Sequence, residues 1–126
     1  MRIFISIVIA AAIIVGAGIW VNDSLQEASD QLSDQINLIC KDIKSGDWES
    51  AKQNTRDLES KWQHNAGWWP VVLDHQEMDN IEFSLAKAKE FVAEENSTLA
   101  LSQFAEMKLM IEHLPAKEKI NLKNIL

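Results

Sequence analysis

At 126 residues, with 47% apolar side chains, the chain is long enough for one ordinary domain with a modest core and too short for two. Nineteen acids against twelve bases leave a formal charge of −7, a surface that repels phosphate backbones and anionic headgroups, so a nucleic-acid reader is excluded. Two prolines, four glycines and no tyrosine, among many Ala, Leu, Glu, Lys and Gln, favour helices over sheet.

The first element is decided by Ile3 to Val21, nineteen positions without a charge and with Ser6 as the sole polar side chain. A hydrocarbon core of about 30 Å takes roughly 20 apolar residues at about 1.5 Å each, so the run predicts a single membrane span. Arg2 precedes it, while Asn22, Asp23, Glu27 and Asp30 follow. That bias keeps the N-terminus in the cytoplasm and puts the rest outside. The expected organisation is an anchor over 1–22, with residues 3–21 in the lipid bilayer, and an extracytoplasmic helical domain over 23–126, a single-pass protein of the cell membrane. The competing reading is a cleaved secretory signal, because Val15-Gly16-Ala17 places small residues where a signal peptidase looks. Trp20 at the end of the run instead suits an interfacial aromatic of a retained anchor. Beyond the anchor, all nineteen acids face eleven bases, a charge of −8.

Leu25, Ser29, Leu32, Ile36, Ile39 and Ile43 recur every three or four residues, and no Gly or Pro separates them from the anchor. One helix is therefore expected from the membrane run to about Lys44. Ser45-Gly46-Asp47 supplies a left-handed C-cap followed by an N-cap. Trp48, Ala51, Thr55, Leu58 and Trp62 form the stripe of a second, antiparallel helix. His64-Asn65-Ala66-Gly67 closes it, and Pro70 is read as the first turn of a third helix. That helix carries Met78, Ile81, Leu85, Ala88 and Val92, runs to about Glu94 and is expected to be the longest after the anchor helix. Asn96 or Ser97 caps a fourth, with Ala100, Phe104, Met107, Ile111 and Leu114 inside, until Pro115 interrupts it. Ala116 to Leu126 makes a short last helical piece presenting Ile120, Leu122, Ile125 and Leu126.

A shift of 49 positions lays Leu32 on Ile81, Ile36 on Leu85, Ile43 on Val92, Ala51 on Ala100 and Leu58 on Met107. Internal duplication produces such a match, and so do two unrelated amphipathic hairpins. The fold class is all-α: an N-terminal transmembrane helix continuing into an antiparallel four-helix bundle, or into two stacked helical hairpins.

Trp68-Trp69-Pro70-Val71-Val72-Leu73 is more apolar than a turn requires. The first helix leaves the membrane and the second returns, so this turn is expected back beside Trp20. Trp62, Trp68, Trp69 and Val72 are then a candidate interaction surface, for the bilayer interface or for another membrane protein; the plainer reading is a lid on the bundle end. The spacing of His64, His75 and His113 matches neither a Glu-x-x-His di-iron bundle nor a zinc protease, so no metal and no cofactor are expected. His75, Glu77 and Asp79 read as a polar helix start. No nucleophile elbow, phosphate loop or Cys-x-x-Cys is present, and no enzyme activity is expected. Asn96-Ser97-Thr98 fits a glycosylation acceptor but equally a helix cap. Cys40 is the lone cysteine, able to bridge only between chains, and otherwise a small buried side chain. A parallel homodimer through the stripe of the first helix competes with the bundle for that stripe.

The stretches WWPVVLDHQEMDNIEFSLAKAKEFV and LSQFAEMKLMIEHLPAKEKINLKNIL resemble a family of short single-pass proteins of Gram-positive, often spore-forming bacteria, catalogued as domain of unknown function four-three-six-three. The resemblance spans the whole architecture and is closest over 68–126. It is carried by Trp69, His75, Glu77, Ile81, Leu85, Ile111, Glu112, His113, Glu118, Leu122 and Asn124-Ile125. It implies a membrane-anchored helical protein and no particular activity, and it makes His75, Glu77, Glu112, His113 and Asn124 the candidate polar positions. Together these readings give a non-enzymatic accessory protein of the cell envelope with an envelope or membrane protein as partner; the alternatives are a small-ligand or metal carrier near His75 and His113, and a secreted protein after cleavage.

Overall fold

Residues 19 to 44 contain no glycine and no proline, so nothing stops a helix begun in the apolar run. In a computed structural model, which describes the backbone of residues 1–125 and the side chains of residues 1–115, α1 runs unbroken from Arg2 to Ser45. Its 44 residues span about 66 Å. The first third is apolar and exposed, long and apolar enough to cross a membrane. The rest buries Leu25, Ser29, Leu32, Ile36, Ile39 and Ile43, the stripe expected from the spacing.

Three further helices complete an up-down-up-down arrangement: α2 (Trp48–Ala66), α3 (His75–Ala93) and α4 (Ser97–Ile125). α1 packs on both α2 and α4, and α3 packs on α4 and more lightly on α2. Their inner stripes form one continuous core, and each fully buried Leu, Ile or Phe contributes about 1.5–3 kcal/mol by leaving water. The core of α2 is the expected Ala51, Thr55, Leu58 and Trp62, with Trp48 only half-buried.

Both tight turns are built alike. Gly46 adopts φ 75°, its amide donates to Ile43 and the Asp47 amide to Asp42, which is a Schellman closure. Forty-nine positions on, the Glu95 amide donates to Val92 and the Asn96 amide to Phe91. The caps match too: an Asp47 carboxylate oxygen accepts from the Ser50 amide at 3.2 Å, and the Asn96 side-chain oxygen from the Leu99 amide at 3.1 Å. The same shift pairs further buried positions, Gln35 with Ser84, Ile39 with Ala88, Thr55 with Phe104 and Trp62 with Ile111. It also pairs two polar bridges across the hairpins: Gln35 donates to the Asn54 carbonyl at 2.9 Å, and Gln103 donates to the Ser84 hydroxyl at 2.6 Å. The correspondence thus reaches backbone geometry and polar contacts, which amphipathicity alone does not require.

Three expectations change. Pro70 does not open α3: it lies in a 3-10 turn, Trp69–Val71, and α3 starts at His75 with Asp74 as cap, its carboxylate accepting from the Gln76 amide at 3.1 Å. α3 is not the longest helix after α1, since α2 and α3 have 19 residues each and α4 has 29. Pro115 does not interrupt α4, whose backbone passes through it, so the short C-terminal helical piece is the end of α4 itself. A helical proline withholds an amide from the carbonyl four residues back. Here that carbonyl, Ile111, accepts from the buried Ser29 hydroxyl of α1 at 3.0 Å.

Candidate functional site

At the end of the bundle nearest the apolar segment, α2 delivers the Trp68–Leu73 connection against α1. The Trp68 ring meets that of Trp20 with centroids 6.3 Å apart, so the connection returns to the level of Trp20, as the helix directions require. Trp69 stands edge-on to Trp62 at 5.2 Å and to Trp68 at 6.1 Å, the geometry favoured by ring quadrupoles. Trp62 is 3% exposed and Trp69 0%. These two belong to the core, which narrows the expected contact surface to Trp68 and Val72, both half-buried, and adds Val71 at the tip, 87% exposed. Burial of Trp69 follows from the 3-10 turn, in which its carbonyl accepts from the Val72 and Leu73 amides and turns its indole inward. The Trp62 indole donates to Glu82 at 3.3 Å, whereas the buried Trp69 N–H has no partner among the described residues.

Beside Trp20 and Trp68 lies a groove of about 450 Å³ between α1 and α2. α1 supplies Ser24, Glu27 and Gln31, and α2 supplies Lys61, His64 and Asn65. Sequence reasoning singled out Trp20 but missed this groove. Its signal is a pair of polar edges, 24/27/31 on α1 and 61/64/65 on α2, each running beside a buried stripe at helical spacing.

The polar positions are only partly assembled. Glu77 and His113 line one cavity of about 180 Å³ with Asn80, Ile81, Met110 and Leu114. His75, the exposed first residue of α3, is not part of it. Glu112 forms an exposed pair with Lys108 at 3.8 Å. Asn124, with Glu118 and Leu122, lies outside the residues whose side chains are described. Among the described residues no three His, Cys, Asp or Glu side chains gather as metal ligands. Asn96 serves as a helix cap. Cys40 is half-buried and unbridged; burial pushes its thiol upward, and the neighbouring Lys44 and Lys108 draw it partly back. The α1 stripe, from Leu25 to Ile43, is spent within the chain's own bundle.

Fold and site define a class: all-helical bundles whose first helix projects beyond the domain as an apolar segment of membrane-spanning length. Residues 19–125 match the family described as Domain of unknown function (DUF4363), and the chain belongs to that family. The match begins just before Trp20 and takes in the bundle. No curated protein and no solved structure matches the chain.

Proposed function

We propose that the chain is a non-enzymatic accessory protein of the cell envelope, anchored through residues 3–21 with its N-terminus in the cytoplasm and its bundle outside, and that it meets a membrane protein through Trp68, Val71 and Val72. The observation that carries this reading is the contact of Trp68 with Trp20, which ties an apolar connection, exposed at Val71, to the end of the apolar helix. An exposed apolar tip at that level suits a partner's apolar surface. Photocrosslinking from Val71 in the native membrane tests it. A single membrane protein that also copurifies with the wild type, and is lost with Val72→Glu, is the expected result. Capture of lipid alone counts against a protein partner.

The anchor has its own test. Ile9→Arg places a charge in the middle of the apolar run at a cost of about 2.5–3.5 kcal/mol; it is expected to move the chain from the membrane pellet to the alkaline-extracted fraction. A mature N-terminus beyond Ala17 by intact mass would favour the secreted reading instead. A second reading, a small-ligand or metal carrier, finds its place in the cavity shared by Glu77 and His113. A melting shift on titration with transition metals would support it.

A further inference from the structure

We propose that the cavity between α3 and α4 holds a soft monovalent metal ion, of the copper(I) or silver(I) class, between the Met110 thioether and the His113 imidazole. The proposal rests on the carrier reading and names the ion carried; it needs no bilayer. The cavity has a volume of about 180 Å³. That is below the range of about 300–1,000 Å³ usual for small organic ligands and well above the roughly 10–15 Å³ that one water needs. An ion with a few waters fits this space better than an organic molecule does.

Both donors come from α4. Met110 and His113 are one turn apart on that helix and line the same cavity, and such neighbours have Cβ atoms about 5–6 Å apart. Metal bonds of about 2.3 Å to sulfur and 2.0 Å to nitrogen bridge that gap, because the rotatable bonds of a Met side chain let its sulfur adjust. The donor pair selects the ion. A thioether is soft and uncharged, which suits copper(I), whereas magnesium, calcium and manganese want oxygen. Among the described residues no three His, Cys, Asp or Glu side chains gather, while zinc takes three or four such ligands. A soft monovalent ion is satisfied by fewer. The cavity floor points the same way, since Ile81 is 1% exposed and Leu114 3%. The solvation lost beside apolar side chains grows with the square of the charge, so a divalent ion loses about four times what a monovalent one does. The net charge of −7 draws cations of either kind toward the chain. Glu77 and Asn80 complete the lining from α3, and the donor pair on α4 stands without them.

The test uses the full chain in detergent micelles with Cys40→Ala as the parent, because a thiol competes for the same ions. Silver(I) in chloride-free buffer is the probe, chosen because air does not oxidise it. One silver ion per chain by native mass spectrometry, with a raised melting temperature, is the expected result. Met110→Leu, which conserves volume, and His113→Gln should each weaken binding by at least about tenfold, and the two together should abolish it. His75→Gln, outside the cavity, should bind as the parent does. Binding should also weaken as the pH falls below about 6.5, because proton and metal compete for one imidazole nitrogen. Far-ultraviolet circular dichroism checks that each bundle is intact. Silver retained undiminished by the double substitution, or lost equally with His75→Gln, overturns the site. Zinc(II) raising the melting temperature as much as silver(I), and losing that effect with His113→Gln, overturns the soft ion while leaving the carrier reading standing. No bound ion and no shift with either metal overturns both.

Discussion

Ser29 and Pro115 are complementary across the α1/α4 interface: the Ser29 hydroxyl donates, at 3.0 Å, to the Ile111 carbonyl that Pro115 leaves without an amide. Ser29 is 1% exposed, so water does not readily replace it. Ser29→Ala is expected to orphan the carbonyl and lower stability by about 1–3 kcal/mol. In a Pro115→Ala background, where an amide is available again, the same substitution should cost less, with a coupling of at least about 0.5 kcal/mol in a double-mutant cycle. Urea unfolding of the four proteins decides it, and strict additivity would show that the hydroxyl plays another part.

Gly46 and Glu95 occupy equivalent left-handed positions, φ 75° and 57°, but only glycine does so without strain. An added Cβ at Gly46 meets nothing within 4 Å, so Gly46→Ala should cost only the backbone term, about 1–2 kcal/mol. Glu95→Gly should stabilise by up to a similar amount. Loss of the exposed Lys52–Glu95 pair at 3.3 Å takes back a few tenths, roughly. Thermal melting with opposite signs for the two substitutions is the expected outcome.

Trp69 fills the end of the core nearest the apolar segment without using its N–H among the described residues. Trp69→Phe should therefore cost no more than about 1.5 kcal/mol, and Trp69→Ala about 3–5 kcal/mol through the cavity it leaves. Trp62→Phe should cost more than ring volume alone, because the 3.3 Å bond to Glu82 goes with it. Equal losses for Trp69→Phe and Trp69→Ala in chemical denaturation would mean that the indole N–H is engaged after all.

The Cys40 thiol is held above its ordinary value of 9.0, chiefly by burial. The folded chain thus binds this proton more tightly than the unfolded chain. The stabilisation is complete below pH 9.0 and disappears as the pH rises through the folded value. Alkaline unfolding curves should fall more steeply for wild type than for Cys40→Ala. Alkylation of the thiol near neutral pH should be slower in the folded protein than in urea.

Four helices were legible because their stripes keep strict three- and four-residue spacing and because Gly46, Asp47 and Asn96 are chemically suited to their turns. The 49-residue correspondence was visible at apolar positions. Its extension to Glu95 was not, since glutamate carries no sign of a left-handed backbone. Pro70 misled because a proline before a helix and a proline in a 3-10 turn look alike in one dimension; the outcome turned on Trp69 reaching the core. Pro115 misled because its remedy, Ser29, lies on α1. The groove was the least legible feature, because it needs the polar edges of α1 and α2 set side by side, and each edge alone reads as a solvated helix face.

The continuity of α1 fixes more than attachment. With residues 3–21 in a bilayer, the 24 residue steps from Val21 to Ser45 carry the far turns about 36 Å above the lipid. There the Lys52–Glu95 pair ties α2 to the turn between α3 and α4. Height and azimuth are then both set by residue count. Removing one residue near Asn22 would lower this roof by about 1.5 Å and swing it by roughly 100° about the helix axis, presenting a different side of the bundle to whatever stands beside it in the membrane.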